Sequence, residues 1–128
     1  SLRLIGYSGG GAVATLLAAE RDDVSQLVTV AGNIDTDYWT TLQHISPLTG
    51  SLNPADQWPS LQAIPQIHFV GSEDKIMPVA VANAYQQHFP QSKRPTVRVI
   101  TGMTHHCCWV EHWPELLQEI SAAKKSAP

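Results

Sequence analysis

The sequence predicts an α/β fold, a parallel sheet with helices on its faces. Three observations carry that reading: four short apolar, often β-branched runs, stretches of helical apolar spacing alternating with them, and glycine or proline at most junctions. At 128 residues, 43% of them apolar, the chain is long enough for one compact domain with a real core.

Leu2 to Tyr7 reads as a short buried strand, carried by Leu2, Leu4 and Ile5 and closed by Gly6. From Gly9 the period changes. Ala12, Val13, Leu16, Leu17 and Ala19 recur at helical spacing until Arg21-Asp22-Asp23 ends the helix. Val24 to Ala31 is a second strand, stopped by Gly32-Asn33. Residues 35 to 62 are less regular and read as an excursion over the top of the sheet. It holds a helical turn at Asp37 to Leu42, turn signals at Ser46-Pro47-Leu48-Thr49-Gly50 and Asn53-Pro54, and a short helix near Asp56 to Gln62. Pro65 to Gly71 is a third strand, and Val79 to Phe89 a helix bracketed by Pro78 and Pro90. Thr96 to Ile100 is a fourth strand, ended by Gly102. Val110 to Ala123 is a last helix with Trp113, Leu116, Leu117 and Ile120 on one face. Residues 1–123 thus read as one domain and 124–128 as a polar C-terminal tail.

The charge balance narrows the partners. A net charge of −3, with basic residues scattered apart from Lys124-Lys125, gives no pull toward nucleic acid. No apolar run approaches the roughly 18 residues of a membrane helix. The two cysteines, Cys107 and Cys108, are too few for a disulfide framework, and adjacency disfavours a bridge between them. They read as two small buried thiols, with pairing to a cysteine outside this segment as the alternative.

In an open parallel sheet, function gathers at the carboxyl ends of the strands. Three strand ends here carry reactive groups: Ser8, then Ser72-Glu73-Asp74, then Gly102-Met103-Thr104-His105. Nucleophile, acid, histidine is the chain order of the nucleophile-elbow arrangement. Gly6, Gly9 and Gly10 would give a sharp strand-to-helix turn its room. Such a turn presents Ser8 Oγ to solvent and aims the Gly9 N–H at a developing oxyanion, a donor worth roughly 3 kcal/mol in the transition state. The plain alternative is Ser8 as a helix N-cap. A zinc site from His105, His106, Cys107, Cys108 and His112 is disfavoured, because adjacent side chains do not converge on one tetrahedral ion. A phosphate cradle at Gly6 to Gly11 lacks both the dinucleotide spacing and a Walker lysine. Neither metal nor cofactor is expected.

The stretches GYSGGGAVA, TVAGNID, SLNPAD, PQIHFVGSEDKIMP and HHCCW add a resemblance. The chain resembles the C-terminal half of an α/β-hydrolase, from the nucleophile strand to the final helix, and within that fold a bacterial serine-hydrolase group. The resemblance spans essentially the whole chain. It implies Ser8 as nucleophile, His105 as general base and then acid, and Asp74 as the residue that orients the imidazole. Glu73 and Asp35 are the alternatives for the acid. His106 is the alternative for the base, although Gly102-Met103-Thr104-His105 fits the Gly-x-x-His pattern of these enzymes. His44, His68, His88 and His112 fall to structural or surface roles, His68 as a hydrogen-bonded core residue.

The resemblance also implies a fold truncated before the nucleophile strand, with one strand edge exposed and the second oxyanion donor outside this segment. A missing N-terminal half or a homodimer partner is expected to cover that edge. The implied activity is hydrolysis of an ester or related small-molecule acyl substrate through an acyl-enzyme. The alternative is a non-catalytic hydrolase-fold binding or scaffold module. Trp39, Trp58 and Trp109 are expected in core or rim packing, with an apolar pocket lining as the other option. Relatives of this kind are often exported, which suits oxidised cysteines.

Overall fold

Each apolar run becomes a strand, and each stretch of helical spacing crosses between strands, in a computed structural model that describes residues 1–46 and 50–126. The turn signal at Pro47-Leu48-Thr49 lies outside the described residues, as do the last two of the expected tail. Strands β1 (Leu2–Tyr7), β2 (Val24–Val30), β3 (Gln66–Gly71) and β4 (Thr96–Ile100) pair in parallel in the order β1-β2-β3-β4. Tyr7 stands opposite Val30, Val30 opposite Phe69, and Gly71 opposite Ile100. The carboxyl ends of all four strands therefore share one edge of the sheet.

Parallel neighbours need long crossovers. These are α1 (Gly9–Glu20), the excursion with α2 (Thr36–Leu42) and α3 (Trp58–Leu61), and α4 (Val79–Gln87), while α5 (Trp109–Ser126) follows β4. Successive strand residues point to opposite faces. Leu27 and Val70 join Ala14, Ala18, Tyr85 and Phe89 on one face, and Val28, Val30, Ile67 and Phe69 join Trp109, Leu116 and Ile120 on the other. The result is three layers, helix, sheet and helix.

Four details depart from expectation. β1, read as buried, leaves Leu2, Ile5 and Tyr7 exposed, although its place at the sheet edge, paired among the described residues only with β2, is the one the resemblance implied. Helix α1 buries Gly11, Ala14, Thr15 and Ala18, while Val13 and Leu17 face outward. Small residues win that face because α1 lies so close to β2 that a Cβ on Gly11 would come within 2.9 Å of Gly32 Cα. In α5, Leu116 and Ile120 are buried but Leu117 is exposed. Finally, α4 stops at Gln87, and α5 runs past Ala123 through Lys124 and Lys125 to Ser126.

One polar network sits inside the sheet. His68 in β3 is fully buried, with Nε2 2.8 Å from Gln66 Oε1 and Nδ1 2.6 Å from Thr29 Oγ1. A carbonyl oxygen only accepts, so Nε2 carries the proton and Nδ1 accepts from the Thr29 hydroxyl. Gln66 Oε1 also accepts from the Tyr85 hydroxyl at 2.6 Å. Burial pushes the His68 imidazole down from 6.5 to about 3. The unfolded chain therefore binds a proton that the fold excludes, and stability is lost as pH falls from 6.5 toward 3. Thermal unfolding followed by circular dichroism should show a steeper loss of Tm across that acid range in wild type than in His68→Gln. Equal slopes would contradict a neutral, buried imidazole.

Candidate active site

The passage from β1 into α1 turns on one residue. Ser8 has φ 54° and ψ −122°, a region that residues with a Cβ avoid at a cost of about 1–3 kcal/mol. Its backbone is tied on several sides. The Ser8 N–H donates to the Val30 carbonyl at 2.9 Å, and its own carbonyl accepts from Gly11 at 2.9 Å and Asn33 at 3.3 Å. The expected roles of the glycines change accordingly. A Cβ on Gly6 would run into the Gly10 carbonyl, whereas Gly9 and Gly10 both face open space. Gly6 and Gly11 make the turn possible sterically, and the strained φ falls on the serine itself.

Ser8 is the residue ahead of α1, yet its side chain makes no capping hydrogen bond. Its Oγ lies instead 2.9 Å from His105 Nε2. On the far side of that ring, Nδ1 is 2.9 Å from Asp74 Oδ2. The other oxygen, Asp74 Oδ1, accepts from the N–H groups of Ile76 at 2.9 Å and Met77 at 2.7 Å. The Asp74 carboxylate is wholly buried, and His105 nearly so. With Nδ1 donating to a carboxylate, the neutral imidazole keeps a lone pair on Nε2, facing the serine hydroxyl. Gly9 follows directly and opens α1, so its N–H has no acceptor within the helix.

Backbone ties between the loops after β3 and β4 hold this geometry. The Ser72 N–H donates to Ile100 at 3.1 Å, Glu73 to Met103 at 2.9 Å, and Gly102 to Ser72 Oγ at 2.8 Å. The three strand ends therefore bring Ser8, Asp74 and His105 together. They do not bring the alternatives. Glu73 is exposed. Asp35 is buried at the start of α2, where its carboxylate takes His88 Nε2 at 2.9 Å and Asn53 Nδ2 at 3.0 Å. His106 is exposed, with Nδ1 3.3 Å from the Tyr7 hydroxyl.

Tyr7 escaped the sequence reading. Its hydroxyl donates to the His105 carbonyl, and its ring centroid lies 5.6 Å from that of His105. Burial, with a smaller contribution from the Asp74 charge, raises the Tyr7 phenol above its ordinary value. Its place beside the serine was the only available signal, because the partner is 98 residues away.

The cysteines are a correction. Cys107 and Cys108 are bonded to each other as a vicinal disulfide, with Cys107 exposed and Cys108 half-buried rather than both sequestered as thiols. A cis peptide between them brings the two Cα atoms to 3.0 Å. The pair sits in a tight turn in which the Cys107 carbonyl accepts from the Thr104 N–H at 2.7 Å. Among the described residues no group of three or more His, Cys, Asp or Glu is arranged to hold a metal ion. No described helix is long and apolar enough to cross a membrane.

The tryptophans pack. Trp58 meets Phe89 edge-on, Trp109 donates to the Thr104 carbonyl at 3.1 Å, and Trp39 donates to the Ile76 carbonyl at 2.9 Å, linking the excursion to the turn that holds Asp74. Trp109 also lines, with Ile5, Tyr7 and Trp113, an apolar cleft of about 440 Å³ beside the open edge of β1.

This architecture is the α/β-hydrolase fold. The esterase domain of a Rhodothermus marinus protein superposes with a TM-score of 0.73 at 18% identity, over 96% of this chain and 60% of that one. An α/β-hydrolase enzyme from the metagenome of lagoon sediments at Mar Chica, Morocco, gives 0.72 at 21% identity, over 98% and 61%. An α-β serine hydrolase homologue from Coxiella burnetii gives 0.59 at 20% identity, over 98% and 49%. The chain thus spans between 49% and 61% of the length of these structures. No protein-family model matches the chain, and no curated protein does.

Two substitutions separate the glycines of the turn. Gly6→Ala should cost about 2 kcal/mol or more in urea unfolding, as overpacking against backbone does, while Gly9→Ala should stay within about 0.5 kcal/mol of wild type. Equal effects would remove the steric account of the turn. Tyr7→Phe should cost about 0.5–1.5 kcal/mol in the same measurement, the worth of one hydrogen bond.

Proposed function

We propose that this chain carries the acyl-transfer centre of a serine hydrolase acting on an ester or related small-molecule acyl substrate. The observation that carries the reading is the unbroken line Ser8 Oγ, His105 Nε2, His105 Nδ1, Asp74 Oδ2, with 2.9 Å at both links. The fold shared with esterases and serine hydrolases supports it.

The chemistry follows from these atoms. As Ser8 Oγ attacks the carbonyl carbon, its proton passes to His105 Nε2, and the carbonyl oxygen becomes an oxyanion. The Gly9 N–H is the donor on this chain that faces that charge, worth roughly 3 kcal/mol. Collapse of the intermediate expels the alcohol, which takes the proton from Nε2 and leaves Ser8 acylated. Water then gives a proton to Nε2 and attacks the acyl carbon, and the returning proton frees Ser8 and the acid product. Asp74 remains ionised throughout, held by the Ile76 and Met77 N–H groups, and stabilises the imidazolium.

The exposed apolar residues of β1, with the apolar cleft beside them, favour a second reading, a non-catalytic binding or scaffold module. Under either reading the exposed apolar edge of β1 calls for a cover, supplied by further hydrolase-fold chain or by a second copy.

A fluorophosphonate probe should label the wild-type protein and not Ser8→Ala. Asp74→Asn should lower kcat on p-nitrophenyl acetate by roughly a thousandfold or more. Labelling that persists in Ser8→Ala would sink the hydrolase reading, and absence of both labelling and turnover in wild type would favour the module.

A further inference from the structure

Two peptide groups aim the Asp74 carboxylate, and both are held from behind. Asp74 Oδ1 accepts from the N–H groups of Ile76 and Met77. The Ile76 N–H shares its peptide plane with the Lys75 carbonyl, and the Met77 N–H shares its plane with the Ile76 carbonyl. Those two carbonyls accept from the excursion: Trp39 Nε1 donates to the Ile76 oxygen at 2.9 Å, and Gln43 Nε2 to the Lys75 oxygen at 3.4 Å. A planar trans peptide points its C=O and N–H in opposite directions, so a donor on the carbonyl fixes where the N–H aims. It also polarises the group and strengthens the hydrogen bond at the other end.

Packing does not anchor the middle of this turn. Lys75 and Ile76 are exposed, whereas Met77, at the far end, is buried. The ties from the loop after β4 reach Ser72 and Glu73, upstream of the carboxylate. The peptides at 75–77 are the part gripped by the excursion.

The grip has a firm footing. Trp39 lies in α2 and Gln43 just ends it, four residues on, so both project from one face of the helix. At the start of α2 the buried Asp35 carboxylate takes the Tyr38 N–H at 3.3 Å, His88 Nε2 at the end of α4 at 2.9 Å, and Asn53 Nδ2 at 3.0 Å. Asn53 Oδ1 accepts in turn from the Thr36 N–H at 2.9 Å. Asp35 thereby fixes the helix that carries the brace.

We infer that Trp39 is a positioning residue for the triad, acting on Asp74 through the Ile76–Met77 peptide, with Gln43 bracing the neighbouring Lys75–Ile76 peptide; the assignment rests on the hydrolase reading above. Trp39 keeps the carboxylate turned so that Oδ2 faces His105 Nδ1 while the imidazole gains and loses its proton. Alignment of the triad thus depends on the docking of α2.

Trp39→Phe keeps an aromatic ring and deletes the N–H. On p-nitrophenyl acetate it should lower kcat by about tenfold and leave KM within about twofold, because alignment in the transition state is what is lost. Gln43→Leu, at the longer bond, should lower kcat by about twofold to threefold. Proton NMR of the protein reads the same geometry without turnover. The hydrogen-bonded His105 Nδ1–H should give a far-downfield signal, identified by its absence in His105→Gln, and Trp39→Phe should move it upfield or broaden it. Trp58→Phe, at a ring that packs on Phe89, should leave both signal and kcat as in wild type. An unmoved signal or a kcat within about twofold of wild type in Trp39→Phe overturns the brace and leaves the hydrolase reading standing. Equal changes in Trp58→Phe overturn it too, as a general loosening of the fold. A signal that moves in Trp39→Phe, in a protein without turnover, keeps the brace and removes the hydrolase reading. Neither signal nor turnover in wild type removes both.

Discussion

The geometry at the carboxyl edge of the sheet depends on Ser8 holding a backbone conformation that a residue with a Cβ resists. Three backbone hydrogen bonds, to Val30, Gly11 and Asn33, keep it there. Each partner belongs to a different segment: the neighbouring strand, the following helix and the start of the excursion. Because Gly6 has no Cβ, the chain can fold back over it, and Gly11 lets α1 lie against β2. Without that close approach the side chain of Ser8 would stand elsewhere, and the alignment of the other strand ends would have nothing to meet.

The same cross-strand logic holds the other two side chains. Asp74 is aimed by two backbone donors in its own turn, so its carboxylate is ordered before any contact with the imidazole. The loops after β3 and β4 are joined by three backbone-anchored hydrogen bonds, which turn two separate loops into one platform. Tyr7 adds a tie from the serine's own strand to the His105 carbonyl. Together these contacts set the donor and acceptor positions within hydrogen-bond reach, as preorganised chemistry requires.

Two histidines of the chain illustrate how environment separates identical side chains. His68 and His105 are both buried and both hydrogen-bonded at each ring nitrogen. His68 faces only neutral partners, the Thr29 hydroxyl and the Gln66 amide, so burial holds it neutral. His105 faces a carboxylate on one side and a hydroxyl on the other, an arrangement in which a transient positive charge has a counter-charge.

The strands, the parallel class of the sheet and the reactive groups at strand ends were legible in the sequence, because period, glycine punctuation and β-branched runs act over a few residues; the spatial order β1-β2-β3-β4 was not. The resemblance to hydrolases was legible too, since GYSGG and the strand-end Asp74 and His105 are local patterns. Burial was less legible. The exposed edge of β1 followed from the resemblance, whereas the outward-facing Leu2 and Ile5 and the small-residue face of α1 depend on which neighbours exist and how near they come. The choice of Asp74 over Asp35 in contacting His105 depended on tertiary structure as well: both follow strands, but Asp35 is taken up by His88 and Asn53. Tyr7 with His105, the Cys107–Cys108 pairing and the Asn33 side-chain oxygen, unpartnered among the described residues, became visible only in three dimensions. The sequence by itself determined the elements and their chemistry, through forces between near neighbours along the chain. Only the tertiary structure decided which side chains meet, because hydrogen bonds across tens of residues are settled by packing.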